Sequence, residues 1–135
     1  MALTQEAGQF WLHCFRAIRS AQVLLEDEDY DGAVSKAYYA AFYAVKALFL
    51  LEGKSFKTHK ALDSAVNADL VRTHRWPKEL AKTYRKMMKD RNLADYEMLH
   101  HFTKRQAEGA IQLAWKIAEG VAKIRPDTFV VLQKP

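Results

Sequence analysis

One segment of this 135-residue chain is apolar on nearly every face of the helix that it predicts. Between Tyr30 and Glu52, alanine, valine, leucine and aromatic residues leave few polar positions, and no proline interrupts them. Such a helix is stable in water only when neighbouring helices or a second copy of the chain cover it. The segment must therefore be the central helix of an all-helical protein or part of a dimer interface.

Helix-breaking residues are scarce in the rest of the chain, which has five glycines and three prolines, and two of the prolines, Pro126 and Pro135, lie near its end. Apolar spacings of three and four, together with capping residues, predict helices at 3–25, 30–52, 58–70, 77–91 and 103–124. Asp29 or Asp31 can cap the second helix, Thr58 can cap the third, and Thr103 and Gln106 form the sequence of a capping box. We predict an all-α, up-and-down bundle of four to five helices, with one domain at 1–125 and a short tail at 126–135.

Several classes of site are disfavoured by composition. Cys14 is the only cysteine, and no histidines show the spacing of a metal site, so we expect neither a metal nor another cofactor.

The first residues lack a signal peptide pattern, and the apolar run at 37–51 is interrupted by Lys46 and too short to span a bilayer. We expect a cytoplasmic protein that does not enter membranes. The β-prone segment at 128–132 is expected to pair with a partner or to fray.

Positive charge is concentrated in one part of the chain. Residues 72–91 contain eight lysines or arginines and two acids, whereas the whole chain has a net charge of +5. A row of cations on one side of a helix can follow the phosphates of a nucleic acid, although it can also be a solvated face. The candidate RNA- or nucleotide-binding residues are Lys78, Lys82, Arg85, Lys86 and Lys89.

Arg91 continues the apolar row of the same helix, after Tyr84 and Met87. A guanidinium keeps its charge, so an inward arginine needs compensation. Three sources are open: an ion pair with Asp95, an exit to solvent in a frayed last turn, or the phosphate of a ligand.

Three segments together resemble the HEPN domain, and specifically its small stand-alone prokaryotic members. They are Ser35-Lys36-Ala37-Tyr38-Tyr39-Ala40-Ala41-Phe42, Lys57-Thr58-His59-Lys60 and Arg91-Asn92-Leu93-Ala94-Asp95-Tyr96. The resemblance implies a helical bundle that forms a homodimer and is often encoded beside a small nucleotidyltransferase, as a toxin–antitoxin-like pair.

Many HEPN proteins are metal-independent endoribonucleases, with an arginine, often a polar residue, and a histidine after four to six intervening positions. Arg91 and Asn92 match the first two positions, but Tyr96 stands where the histidine is expected, and His100 comes too late. A phenol with an unperturbed pKa of about 10 is a poor general base at neutral pH. The resemblance thus implies catalytic candidates Arg91, Asn92 and Tyr96, with a cleft supported by Ser35, Lys36, Tyr38, Tyr39 and Asp95.

Three functions remain open from the sequence. The first is a HEPN-type protein whose dimeric basic cleft, around Arg91, Asn92 and Tyr96, binds RNA or a nucleotide. The second is an endoribonuclease that leaves a 2′,3′-cyclic phosphate, with Tyr96 or His100 in place of the missing histidine. The third is a non-catalytic module that binds a nucleotidyltransferase, in which Tyr96 accepts a transferred nucleotide.

Overall fold

The chain forms five α-helices in a computed structural model that describes residues 2–132, with side chains from residue 5 onward. A six-residue π-helical segment follows the third α-helix, and no strand occurs within the described range. The all-α prediction is therefore confirmed. The helices are α1 (Ala2–Glu26), α2 (Tyr30–Leu51), α3 (His59–Ala65), α4 (Lys78–Tyr96) and α5 (Lys104–Ile124), with the π-helical segment at Val66–Val71.

Helix α2 is the central helix of the bundle, packed by α1, α4 and α5. Its buried side chains include six alanines, which allow the surrounding helices to approach closely. By length and composition alone α2 could cross a membrane, but most of it is buried inside the protein. Lys46, its one cation in the apolar run, places its ammonium group 4.6 Å from the centre of the Phe10 ring. The apolar character of α2 is thus explained by its position in the core.

The predicted caps are present. The Asp29 side chain accepts from the backbone of Gly32, and the Thr58 side chain accepts from the backbone of Ala61. Thr103 and Gln106 make both hydrogen bonds of the capping box. These contacts satisfy backbone N–H groups that have no acceptor within the first turn of a helix.

Two helices differ from the predicted ranges. The third was expected to remain α-helical to Leu70, but from Val66 to Val71 it is a π-helix. The fourth was expected to end at Arg91, but α4 continues to Tyr96. The extension is explained by Leu93 and Ala94, which pack with the small apolar cluster that contains Phe102.

The tail is packed against α1 rather than frayed. Phe129 is only 1% exposed, and its ring centre lies 4.8 Å from that of Trp11. The Trp11 indole N–H also donates to the backbone carbonyl of Val130 over 2.9 Å. No strand forms at 128–132 within the described residues, where the segment covers an aromatic cluster, and its pairing with a partner stays a prediction. The end of the expected tail, residues 133–135, lies outside the described residues.

We predict that Phe129→Ala lowers the free energy of unfolding by about 3 kcal/mol, because it empties a fully buried aromatic site. Chemical denaturation of the two proteins measures this difference. Val130→Ala is the matched control, since that side chain is 66% exposed and should change stability little. Equal stability of wild type and Phe129→Ala would contradict the docked position of the tail.

Candidate anion-binding site

Arg91 lies on the inward face of α4. The buried residues of this helix are Ala81, Tyr84, Met87 and Arg91, so the arginine occupies the next position of the apolar row. It is 8% exposed, which excludes the frayed, solvated last turn. The inward position predicted from the spacing is confirmed.

The guanidinium of Arg91 has weak partners. Its Nη1 donates to the Tyr39 hydroxyl over 3.5 Å and lies 3.9 Å from the Asp95 carboxylate. Charge-assisted hydrogen bonds between such groups are normally about 2.7–2.9 Å long. The buried Nε has no hydrogen-bond partner among the described residues. The ion pair with Asp95 therefore compensates this cation only in part.

Two tyrosine rings of α2 supply further compensation. The guanidinium carbon lies 5.2 Å from the Tyr38 ring centre and 5.5 Å from that of Tyr39, within the range of a cation–π interaction. Burial raises the pKa of Tyr38 to about 12, so its phenol stays neutral at pH 7 and adds no negative charge. The site therefore keeps a net positive charge.

His59 joins this cluster from α3. Its Nδ1 and the Tyr38 hydroxyl are 2.7 Å apart, and its ring lies 4.3 Å from that of Phe42. Burial, followed by the charges of Arg91 and Lys46, lowers the pKa of His59. The sequence reasoning did not assign His59 to the site, although the segment 57–60 in the family resemblance was the available signal.

A groove of about 490 Å³ opens between α3 and α4 beside these residues, and we call it the Arg91 groove. Asp63 is its one acidic lining residue, and Arg85 pairs with that carboxylate at 2.9 Å. Lys60 and Lys89 are exposed and make no ion pair within the described chain. The lining residues are His59, Lys60, Asp63, Ser64, Arg85, Met88, Lys89, Arg91 and Asn92.

The cations of the predicted basic row separate in the structure. Arg85 and Lys89 line the Arg91 groove, whereas Lys86 pairs with Asp90 at 2.6 Å and borders a different, largely apolar groove. Lys82 lies 4.0 Å from Glu79, and Lys78 is exposed in the first turn of α4. Three of the five predicted residues thus lie outside the Arg91 groove.

The residues of the predicted cleft are also divided. Asn92 lines the Arg91 groove. Arg91 is contacted by Tyr38, Tyr39 and Asp95. Ser35 is half-buried on α2. Tyr96 is 72% exposed and Lys36 is exposed, and neither lines the groove. Because α4 continues past Arg91, a residue five positions later is rotated by about 140° around the helix axis.

A half-exposed aromatic surface adjoins Arg91, formed by Phe10, Tyr39, Phe42 and Tyr43. The ring centres of successive pairs are 6.4 Å apart for Tyr39 and Phe42, 5.7 Å for Phe42 and Tyr43, and 5.9 Å for Tyr43 and Phe10. Within the described residues, no group of three histidine, cysteine or acidic side chains could hold a metal ion. The site therefore offers positive charge beside aromatic faces.

The HEPN domain model matches residues 11–124 of this chain. A UPF0332 protein of Thermotoga maritima is 33% identical over 120 residues, which cover 88% of this chain and 91% of that protein. A candidate toxin of Methanocaldococcus jannaschii is 30% identical over 93 residues, covering 69% of this chain and 63% of that one. The crystal structure of TT1696 from Thermus thermophilus is similar, with a TM-score of 0.76, 30% identity and coverage of 87% and 97% of the two chains.

We predict that Arg91→Met raises the free energy of unfolding by about 1 kcal/mol, because a buried cation without close partners costs more than an apolar side chain of similar length. Urea denaturation at constant pH measures the difference. In the control, Arg85→Met should lower stability by about 1 kcal/mol, because it removes the partner of buried Asp63 and Arg85 is itself half exposed. A large loss of stability in Arg91→Met would show that the guanidinium is a structural group.

Proposed function

This chain belongs to the HEPN domain family, and we propose that it is a toxin-type member that binds RNA through its phosphate groups at the Arg91 groove. The observation that carries this proposal is the buried guanidinium of Arg91, whose Nε has no partner among the described residues and whose nearest carboxylate oxygen is 3.9 Å away. A phosphate oxygen would supply the short, charge-assisted hydrogen bonds that the protein itself leaves unmade.

Two features favour RNA over a small free anion as the ligand. Lys60 and Lys89 are exposed cations along the same groove, at positions where they can contact successive phosphates. The aromatic surface offers rings on which unpaired bases can stack, a common mode of single-strand binding. Phosphate contact and base stacking together fit a single-stranded RNA segment.

The proposal includes a homodimer. The loop between α4 and α5 exposes two large apolar side chains, Met98 at 90% and Leu99 at 96%. Apolar side chains exposed side by side are frequent where a second protein binds. Dimerisation would place two Arg91 grooves in one particle and so lengthen the positive surface that is available to RNA.

RNA cleavage is outside the proposal. The histidine expected after Arg91 in the nuclease members is replaced by Tyr96, which is 72% exposed on a different face of α4. The phosphate contacts of the Arg91 groove require no proton transfer from that phenol. Binding is therefore the function that the described side chains support best.

The exposure of Tyr96 favours a second candidate function. A phenol at the accessible end of α4 can enter the active site of another enzyme without unfolding of the bundle. In this alternative, a nucleotidyltransferase partner transfers the nucleotidyl group of a nucleoside triphosphate to the Tyr96 oxygen, which loses its proton as pyrophosphate leaves. The same chain would then be regulated as the toxin of a toxin–antitoxin-like pair.

We expect Arg91→Ala to weaken binding of a single-stranded RNA oligonucleotide by about tenfold or more, because it removes the central phosphate ligand. Fluorescence anisotropy at several salt concentrations measures this, and Lys89→Ala should reduce the salt slope by about 0.7. Arg105→Ala is the control, since this exposed arginine of α5 does not line the groove. Binding that is independent of salt, or unchanged in Arg91→Ala, would disprove the proposal.

Tyr96→Phe should abolish nucleotide transfer if the second candidate is correct. The chain is co-expressed with a small nucleotidyltransferase of the kind that the family resemblance implies as a partner, and intact-mass spectrometry then detects the added nucleotidyl group. Tyr43→Phe removes a half-buried phenol and should leave the modification unchanged. An unmodified wild-type chain after co-expression would exclude this role for Tyr96.

A further inference from the structure

The imidazole of His59 has one ring nitrogen bound to the protein and one left for a ligand. Its Nδ1 lies 2.7 Å from the hydroxyl of Tyr38. No hydrogen bond to Nε2 is present among residues 5–132, and the half-buried ring lines the Arg91 groove. Nε2 is therefore available on the same wall as the buried cation.

The hydrogen bond between Tyr38 and His59 couples the tautomer of neutral His59 to the orientation of the Tyr38 hydroxyl. Tyr38 is fully buried, and its hydroxyl oxygen lies 2.7 Å from His59 Nδ1. In the arrangement in which Tyr38 donates to Nδ1, the imidazole proton is on Nε2, so neutral His59 presents an N–H donor to a ligand in the groove.

Titratable and charged groups from three helices surround this imidazole. Tyr38, Tyr39 and Lys46 face it from α2, Arg91 faces it from α4, and Lys60 and Asp63 lie beside it on the groove wall of α3. Burial and the two cations Arg91 and Lys46 lower the pKa of His59 in the free protein. An anion that binds between His59 and Arg91 acts in the opposite direction and raises that pKa.

The Tyr38 hydroxyl can rotate when the His59 imidazole takes up a second proton. When Nδ1 becomes protonated, it donates to the Tyr38 oxygen, and the Tyr38 hydrogen must turn to another acceptor. The neighbouring Tyr84 ring is 5.8 Å from that of Tyr38, and its buried hydroxyl has no partner of normal geometry among the described residues. Tyr84 is thus placed to accept this hydrogen.

We propose that His59 and Arg91 bind one phosphoryl group together, and that His59 takes up a proton as the anion enters the groove. This inference rests on the anion site of the proposed function and assigns its ligand class, a tetrahedral oxyanion held by two side chains from α3 and α4. The anion is either a phosphodiester within an RNA chain or a phosphate at an RNA end.

Sulfate tests the proton uptake directly, because this tetrahedral dianion does not itself titrate between pH 5 and 8. NMR spectra of the imidazole C–H groups give the pKa of His59 with and without sulfate, and His59→Gln identifies the His59 signals. We expect sulfate to raise the pKa of His59 in wild type and to leave it unchanged in Arg91→Met. Equal pKa values with and without saturating sulfate, or an equal rise in Arg91→Met, would overturn the proposal.

RNA binding provides the second measurement. The ligand is a single-stranded oligouridylate with a 5′-hydroxyl, whose diesters do not titrate in this range. If the pKa of His59 rises by one unit on binding, affinity for the fully protonated site exceeds that for the neutral site by about tenfold. Affinity should therefore increase as the pH falls from 8 to 6. If sulfate raises the pKa of His59, but affinity increases at low pH only for a 5′-phosphorylated oligouridylate, the site binds the phosphate at an RNA end.

Two variants of His59 separate its hydrogen bond from its titration. His59→Gln keeps an N–H donor near the Nε2 position but cannot take up a proton. Its affinity for the oligouridylate at pH 8 should stay within about threefold of wild type, and that affinity should not increase as the pH falls. His59→Phe should weaken binding at both pH values. Wild-type pH dependence in His59→Gln would overturn the inference while leaving the proposed function intact. Failure of RNA to bind, with the sulfate effect present, would contradict only the proposed function.

Discussion

The candidate site depends on a cation that is held inside the bundle by aromatic faces rather than by a close carboxylate. Arg91 rests against the rings of Tyr38 and Tyr39, and its nearest acid, Asp95, is 3.9 Å away. A cation–π contact lowers the cost of burial without neutralising the charge. The guanidinium therefore still attracts anions, whereas a short ion pair would have satisfied it.

Arg85, in the same groove, is compensated by a close carboxylate instead. Its guanidinium makes a close pair with buried Asp63, and this pair joins α4 to α3. One arginine thus fixes the wall of the groove, and the charge of the second is not matched by a close carboxylate. Under the proposed function, the unpaired charge of Arg91 would reduce the stability of the free protein and be relieved only when the anion binds.

Helix α2 connects the fold to the site. Its alanine-rich faces let α1 and α5 pack closely, while its aromatic side chains support Arg91, His59 and the aromatic surface. A change at Tyr38 would therefore affect both the core and the site, because this side chain is fully buried and also hydrogen-bonds the imidazole. Structural and functional effects are easier to separate at His59, which is half-buried at the groove.

Much of the fold was determined by local sequence patterns. Caps at Asp29, Thr58 and Thr103, the apolar α2 and the inward position of Arg91 all follow from spacings within a few residues. Such patterns act within one helix, where the geometry is known in advance. The all-α bundle follows from the same patterns, whereas the HEPN family was predicted from the resemblance of three short segments to that domain.

The tertiary structure alone decided which distant side chains meet. His59 and Tyr38 are 21 positions apart, Arg85 and Asp63 are 22 apart, and Trp11 donates to Val130 from the opposite end of the chain. The extension of α4 also rotated Tyr96 away from Arg91. These pairings depend on how helices cross and how far each one continues, and periodicity along a single helix contains neither quantity.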